Sequence, residues 1–193
     1  MAGRSALINV MHKASQSASR RMMRDFGEVE NLQVSRKGAA DFVSQADITA
    51  ERTLREELEK ARPDYGFIME EGGTVAGAHA DSPVWIIDPI DGTTNFLHGI
   101  PHFAISLAVR EKGRLLAGTI FDPARNEFFY AEAGKGAFLN DRRMRVSGRR
   151  AMPESLFATG IPFLGRGTDE TDTQFLAELK TIPIYLSSPH LLR

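Results

Sequence analysis

Cysteine is absent from the 193 residues, which excludes disulfides, thiolate-bound zinc, iron–sulfur clusters and a cysteine nucleophile. No uninterrupted apolar run approaches the roughly 20 residues of a membrane span, and the mean hydropathy is −0.25. No excess of one charge sign is present either: 24 Lys and Arg face 25 Asp and Glu, for a formal charge of −1. A near-neutral chain has no general drive toward nucleic acid or anionic membrane, so any such partner needs a local patch. What remains, with 42% hydrophobic and 25% charged residues, is the profile of a soluble globular domain large enough for a core.

The first acidic residue is Asp25, and the serine-rich stretch before it carries Arg4, Lys13, Arg20, Arg21 and Arg24, superficially like an organellar transit peptide. Leu7, Met11, Ala14, Ala18, Met22 and Phe26 recur every three or four residues, however, so the segment reads as an amphipathic helix of the folded body. A cytoplasmic location follows as the default. Gly38 and the polar stretch to Asp47 suggest a break, and Ile48 to Lys60 a second helix ended by Arg62-Pro63.

The period then changes. Gly66–Met69, Val84–Ile87, Phe103–Val109, Leu115–Ile120, Glu127–Ala131 and Ala137–Leu139 are short runs rich in β-branched and aromatic residues. Connectors such as Glu111–Arg114 and Asp122–Asn126 are too short for crossover helices, so largely antiparallel pairing and an α+β fold are expected. A first domain spans residues 1–148. A second begins at 149, with a helix from Thr168 to Lys180, and gives way to an aperiodic tail from about 181.

Chemistry concentrates in Trp85-Ile86-Ile87-Asp88-Pro89-Ile90-Asp91-Gly92-Thr93-Thr94-Asn95-Phe96, where an apolar strand runs into two acids, a glycine and two hydroxyls. Pro89 has no N–H for a ladder, so the strand is expected to end there and let Asp88, the Ile90 carbonyl and Asp91 converge. Convergent hard oxygens suit Mg²⁺ or Mn²⁺. Gly92, Thr93 and Thr94 then open a short helix whose N–H groups form a phosphate seat, and the Thr93 hydroxyl can orient a water. Asp-Pro and Asp-Gly pairs more often mark turns, a reading that weakens when both occur three residues apart at a strand end. Glu70-Glu71 closes a second strand and can face the same site. Asp47 reads most simply as a helix N-cap.

These blocks, together with Asp41-Phe42-Val43-Ser44-Gln45-Ala46-Asp47, Gly66-Phe67-Ile68-Met69-Glu70-Glu71, Gly99-Ile100-Pro101-His102-Phe103 and, more weakly, Thr159-Gly160-Ile161-Pro162-Phe163, resemble the inositol monophosphatase family. The resemblance implies a layered helix and antiparallel-sheet sandwich that hydrolyses inositol monophosphate or a similar sugar phosphate with two or three Mg²⁺ ions and is inhibited by lithium. It implies that Glu70, Asp88 and the Ile90 carbonyl hold one ion, and that Asp88 and Asp91 hold another. Glu70 would also activate the water, Thr93 and Asp47 would pair near it, Gly92 and Thr93 would bind phosphate, and Lys37, in competition with Arg36, would supply positive charge. An intact member would be a homodimer.

The family's later Trp-Asp motif is missing, since the lone tryptophan is Trp85, followed by Ile86. The expectation is therefore a truncated or frame-shifted C-terminus, an incomplete second domain, a weakened second metal site and impaired activity. His98 and His102 are four apart beside the motif, but Pro101 lies between them and both read as ordinary polar residues. Arg142, Arg143, Arg145, Arg149 and Arg150 read first as a solvated hairpin, with RNA contact as the alternative. The competing functions are a non-catalytic binding protein, partner of transcription or RNA machinery, and a related sugar- or nucleotide-bisphosphate phosphatase.

Overall fold

The computed structural model describes the backbone of residues 3–32 and 36–151, and the side chains of residues 3–29 and 45–151. Two long helices, α1 (Ala6–Leu32) and α2 (Arg36–Ala61), precede the strands β1 (Gly66–Met69), β2 (Gly73–Val75) and β3 (Val84–Asp91). A short helix α3 (Thr93–Leu97) then leads to β4 (Ala104–Glu111), β5 (Arg114–Asp122), β6 (Glu127–Glu132), β7 (Gly136–Leu139) and β8 (Arg142–Arg143). The strands form one eight-stranded sheet in the order β2-β1-β3-β4-β5-β6-β7-β8. Every pairing is antiparallel except β1 with β3, and the fold class is α+β.

Helix α1 starts where the Ser5 hydroxyl accepts the Ile8 N–H at 3.2 Å, an N-terminal cap. It buries Ile8, Met11, Ala14, Ala18, Met22 and Val29, spaced for one face of a 3.6-residue period. Leu7 and Phe26 pack at the margin of that stripe. The basic N-terminal segment is therefore part of the folded body, and Arg4 ties it to the far edge of the sheet by two hydrogen bonds to Asp141, at 2.6 and 2.9 Å. Along α2 the buried apolar positions among the described side chains are Ala46, Ala50, Leu54 and Leu58. Both helices cover one face of the sheet, over alternate residues such as Phe67, Trp85, Ile105, Leu107, Phe121 and Phe128, as the two-residue period of strands requires.

Two expectations are corrected. The break from Gly38 to Asp47 does not occur: α2 begins at Arg36 and runs without interruption to Ala61. Strand β3 does not end at Pro89 but continues to Asp91. The missing donor is absorbed instead by a bulge, since Asp88 pairs with Ser106 and the next pair is Asp91 with Ala104, three steps on one strand against two on the other. Strands β2 and β8, of three and two residues, were too short to give a periodic signal. The first compact unit ends at Arg145. The helix expected at Thr168–Lys180, the tail from 181 and nearly all of the second domain lie outside the described residues.

Candidate active site

Parallel pairing decides where the acids meet. Met69 of β1 stands beside Ile87 of β3, so the next residues, Glu70 just past the end of β1 and Asp88 within β3, stand at the same level of the sheet. An antiparallel pair would have sent the two strand ends to opposite edges. Glu70 accordingly lies within hydrogen-bonding reach of the Asp88 carboxyl, and Asp91 acts on it through its charge. Burial first, then Glu70 and Asp91, push Asp88 up from an ordinary 3.8 to about 7.

Helix α2 brings in a fourth carboxyl. Asp47 is not an N-cap: it sits inside α2 and is 4% exposed. Burial, then Glu71, Glu70 and Asp88, raise it to about 7 as well. One oxygen of Asp47 and one of Asp88 are buried with no hydrogen-bond partner. No Lys or Arg among the described residues forms an ion pair with Asp47, Glu70, Asp88 or Asp91.

The bulge presents the remaining groups. The Thr93 hydroxyl donates to the Ile90 carbonyl at 2.9 Å, which spends its single proton, so the pair expected between Thr93 and Asp47 is not made in this arrangement. The Ile90 carbonyl keeps its second lone pair. Gly92 caps α3 in the left-handed region, at φ 98°, and a Cβ there would lie 2.9 Å from the His102 carbonyl oxygen and 3.3 Å from Phe103 Cα. Both the dihedral and the crowding by main chain require glycine. Gly92→Ala is expected to cost about 1–3 kcal/mol, measured as a lowered thermal midpoint.

Does this set suit a divalent cation? Among the described residues no three Asp, Glu or His side chains stand gathered as a finished cage. The donor chemistry nevertheless fits a hard ion: acids crowded without a basic partner among the described residues, two orphaned buried carboxylate oxygens, and an adjacent free lone pair on a carbonyl. Lys37 falls in α2 among residues whose side chains are not described.

Beside Asp91 and Gly92 opens a cleft of about 490 Å³, walled also by Asn95, His102, Asp122 and Arg125. Arg125 is held there by Asp122 at 2.6 Å and by the Pro101 carbonyl at 3.2 Å. His98 and His102 are exposed. Arg142 to Arg150 are exposed too, with Arg143 donating to the Lys135 carbonyl at 3.2 Å.

Sequence reasoning missed Glu51. It is 6% exposed and accepts the Glu71 N–H at 2.8 Å. The available signal was its spacing: Asp47 and Glu51 are four apart, each one residue past Ala46 and Ala50, so acids border the buried stripe of the helix.

Comparison with known proteins gives a consistent result. The sequence profile of the inositol monophosphatase family matches residues 4–182. The chain is 55% identical over 179 residues to a protein of Rhizobium meliloti (strain 1021) named Inositol-1-monophosphatase, covering 93% of this chain and 66% of that one. It is 40% identical over 157 residues to the Nus factor SuhB of Escherichia coli (strain K12), covering 81% and 58%. Among solved structures, the extragenic suppressor protein suhB of Bartonella henselae superposes with a TM-score of 0.81 at 50% identity, over 92% of this chain and 67% of that one. The chain thus spans just under two thirds of the length of its Rhizobium relative.

Proposed function

This chain belongs to the inositol monophosphatase family, and from that premise we propose that it serves a metal-dependent phosphomonoester hydrolase acting on inositol monophosphate or a similar sugar phosphate. The observation that carries the reading is the crowding of the Glu70 and Asp91 charges around half-buried Asp88, one oxygen of which is buried with no hydrogen-bond partner. Strand ends and a helix have been folded together to crowd acids, at a cost to stability, and such crowding marks a functional site.

Glu70, Asp88, the Ile90 carbonyl and Asp91 would hold Mg²⁺, which when bound neutralises phosphate oxygens and acidifies a water. The chain's own groups do the rest. Glu70 takes the proton of the attacking water. Gly92 and Thr93 offer backbone N–H groups to the phosphate, and Lys37 adds positive charge. Thr93 releases the Ile90 carbonyl to pair with Asp47. The cleft beside Asp91 lies in the size range of small-molecule sites, about 300–1,000 Å³, and receives the leaving alcohol.

The test is phosphate release from inositol 1-phosphate with and without Mg²⁺ and Li⁺. Mg²⁺-dependent, Li⁺-inhibited release that is lost in Asp91→Asn is expected. Release equal in that variant and in the parent chain would overturn the reading.

The second reading is a fold-retaining binding protein, since some relatives are named Nus factor and five arginines from Arg142 to Arg150 are exposed. RNA affinity that falls steeply with salt, and is lost when these arginines are changed to Ser, would favour it. Among the described residues no helix is long and apolar enough to cross a membrane.

A further inference from the structure

We propose that Glu51 is a positioning residue for Glu70, acting through the backbone of the turn that follows it; this rests on the reading of Glu70 as a catalytic carboxylate. Strand β1 ends at Met69 and β2 starts at Gly73. Glu70, Glu71 and Gly72 form the turn between them, and within such a turn the direction of Glu70 is free unless something holds the main chain.

Glu51 holds it from the helix layer. Its carboxylate is almost wholly withdrawn from water, 6% exposed, yet among the described residues it meets no Lys or Arg. What it meets is main chain. One oxygen accepts the Glu71 N–H at 2.8 Å. The other lies over Gly72, where a Cβ would come within 2.9 Å of it and 3.0 Å of Met69 Cε. One oxygen is thus bonded to the turn while the other stands over it, and Gly72 is the residue that lets the carboxylate approach so closely.

A carboxylate buried on a backbone amide is a strong directional contact, and its removal strands a buried N–H. Without it the turn can rotate about Met69–Glu70 and carry Glu70 away from Asp88. A distance of one turn on α2 separates Glu51 from Asp47, so one rigid helix places both a site acid and the clamp for another.

Glu51→Ala, Glu51→Gln and Gly72→Ala test this in the whole chain. Glutamine keeps an acceptor oxygen without the charge. Alanine at 72 collides only with the flexible ends of Glu51 and Met69, so that variant folds while displacing the clamp. In Glu51→Ala, the Glu71 amide is expected to exchange with solvent at least about tenfold faster, while amides of β4 and β5 keep their protection. Binding of Mn²⁺ alone, followed by its paramagnetic resonance, weakens about tenfold, and kcat falls with little change in KM. Glu51→Gln restores most of each, and Gly72→Ala gives the same pattern in smaller measure.

Faster exchange throughout the sheet would show a merely structural role and overturn the proposal. So would faster Glu71 exchange with Mn²⁺ affinity and kcat unchanged. A parent chain that neither binds Mn²⁺ nor releases phosphate would end the hydrolase reading. Unchanged Glu71 exchange in Glu51→Ala would end this proposal independently of it.

Discussion

Asp88→Asn is expected to cut Mg²⁺-dependent phosphate release by at least about 100-fold, the upper range for loss of a residue that only orients a metal ligand, while making the metal-free chain more stable above neutral pH. Opposite signs arise because Asp88 is where the acids crowd. Burial, Glu70 and Asp91 all act against its charge, and an amide of the same shape removes that repulsion while giving up a hard anionic donor. Steady-state kinetics and thermal unfolding without metal, near pH 8, read the two effects separately. A misfolded variant would lower both. Unchanged activity would remove Asp88 from the site altogether.

The metal-free chain is also expected to lose several degrees of thermal midpoint between about pH 4 and pH 7. Asp47 and Asp88 are both raised from 3.8 to about 7. In that window the folded chain still holds two protons that the unfolded chain has released. The advantage of the folded state is complete below the unfolded value and disappears as the pH climbs through the folded one. Asp88→Asn should flatten the profile by removing one of the two groups. Mg²⁺ should raise the midpoint more at about pH 8 than at about pH 5, because it binds the ionised carboxylates. A midpoint rising with pH across this range in the metal-free protein would contradict the crowding of these acids.

Much of the candidate site was legible along the chain because it is locally encoded. Asp88, Ile90, Asp91, Gly92 and Thr93 lie within six consecutive positions, and a strand running into Pro, Gly and hydroxyls carries its own turn chemistry. The stripe of α1 was equally plain, since Met11, Ala14, Ala18 and Met22 repeat with the helical period and are all buried. Asp47 was misread because an acid ahead of an apolar run looks the same whether it caps a helix or lies inside a longer one. Only the extent of α2, which already begins at Arg36, separates the two. Pro89 misled in a similar way: a missing N–H ends a strand or bulges it, and the pairing of β3 with β4 chose the bulge.

By itself the sequence determined which residue types were available: hard oxygen donors without thiolates, a glycine where the backbone turns left-handed, and strand and helix periods that fix which side chains face inward. Those properties belong to single residues and near neighbours. Tertiary structure alone decided that Glu70 and Asp88, eighteen residues apart, share one level of the sheet, and that Asp47 and Glu51 reach them from a helix. The physical reason is that a parallel register and a packed helix face depend on burying apolar surface across the whole layer, a sum over distant residues that no local pattern contains.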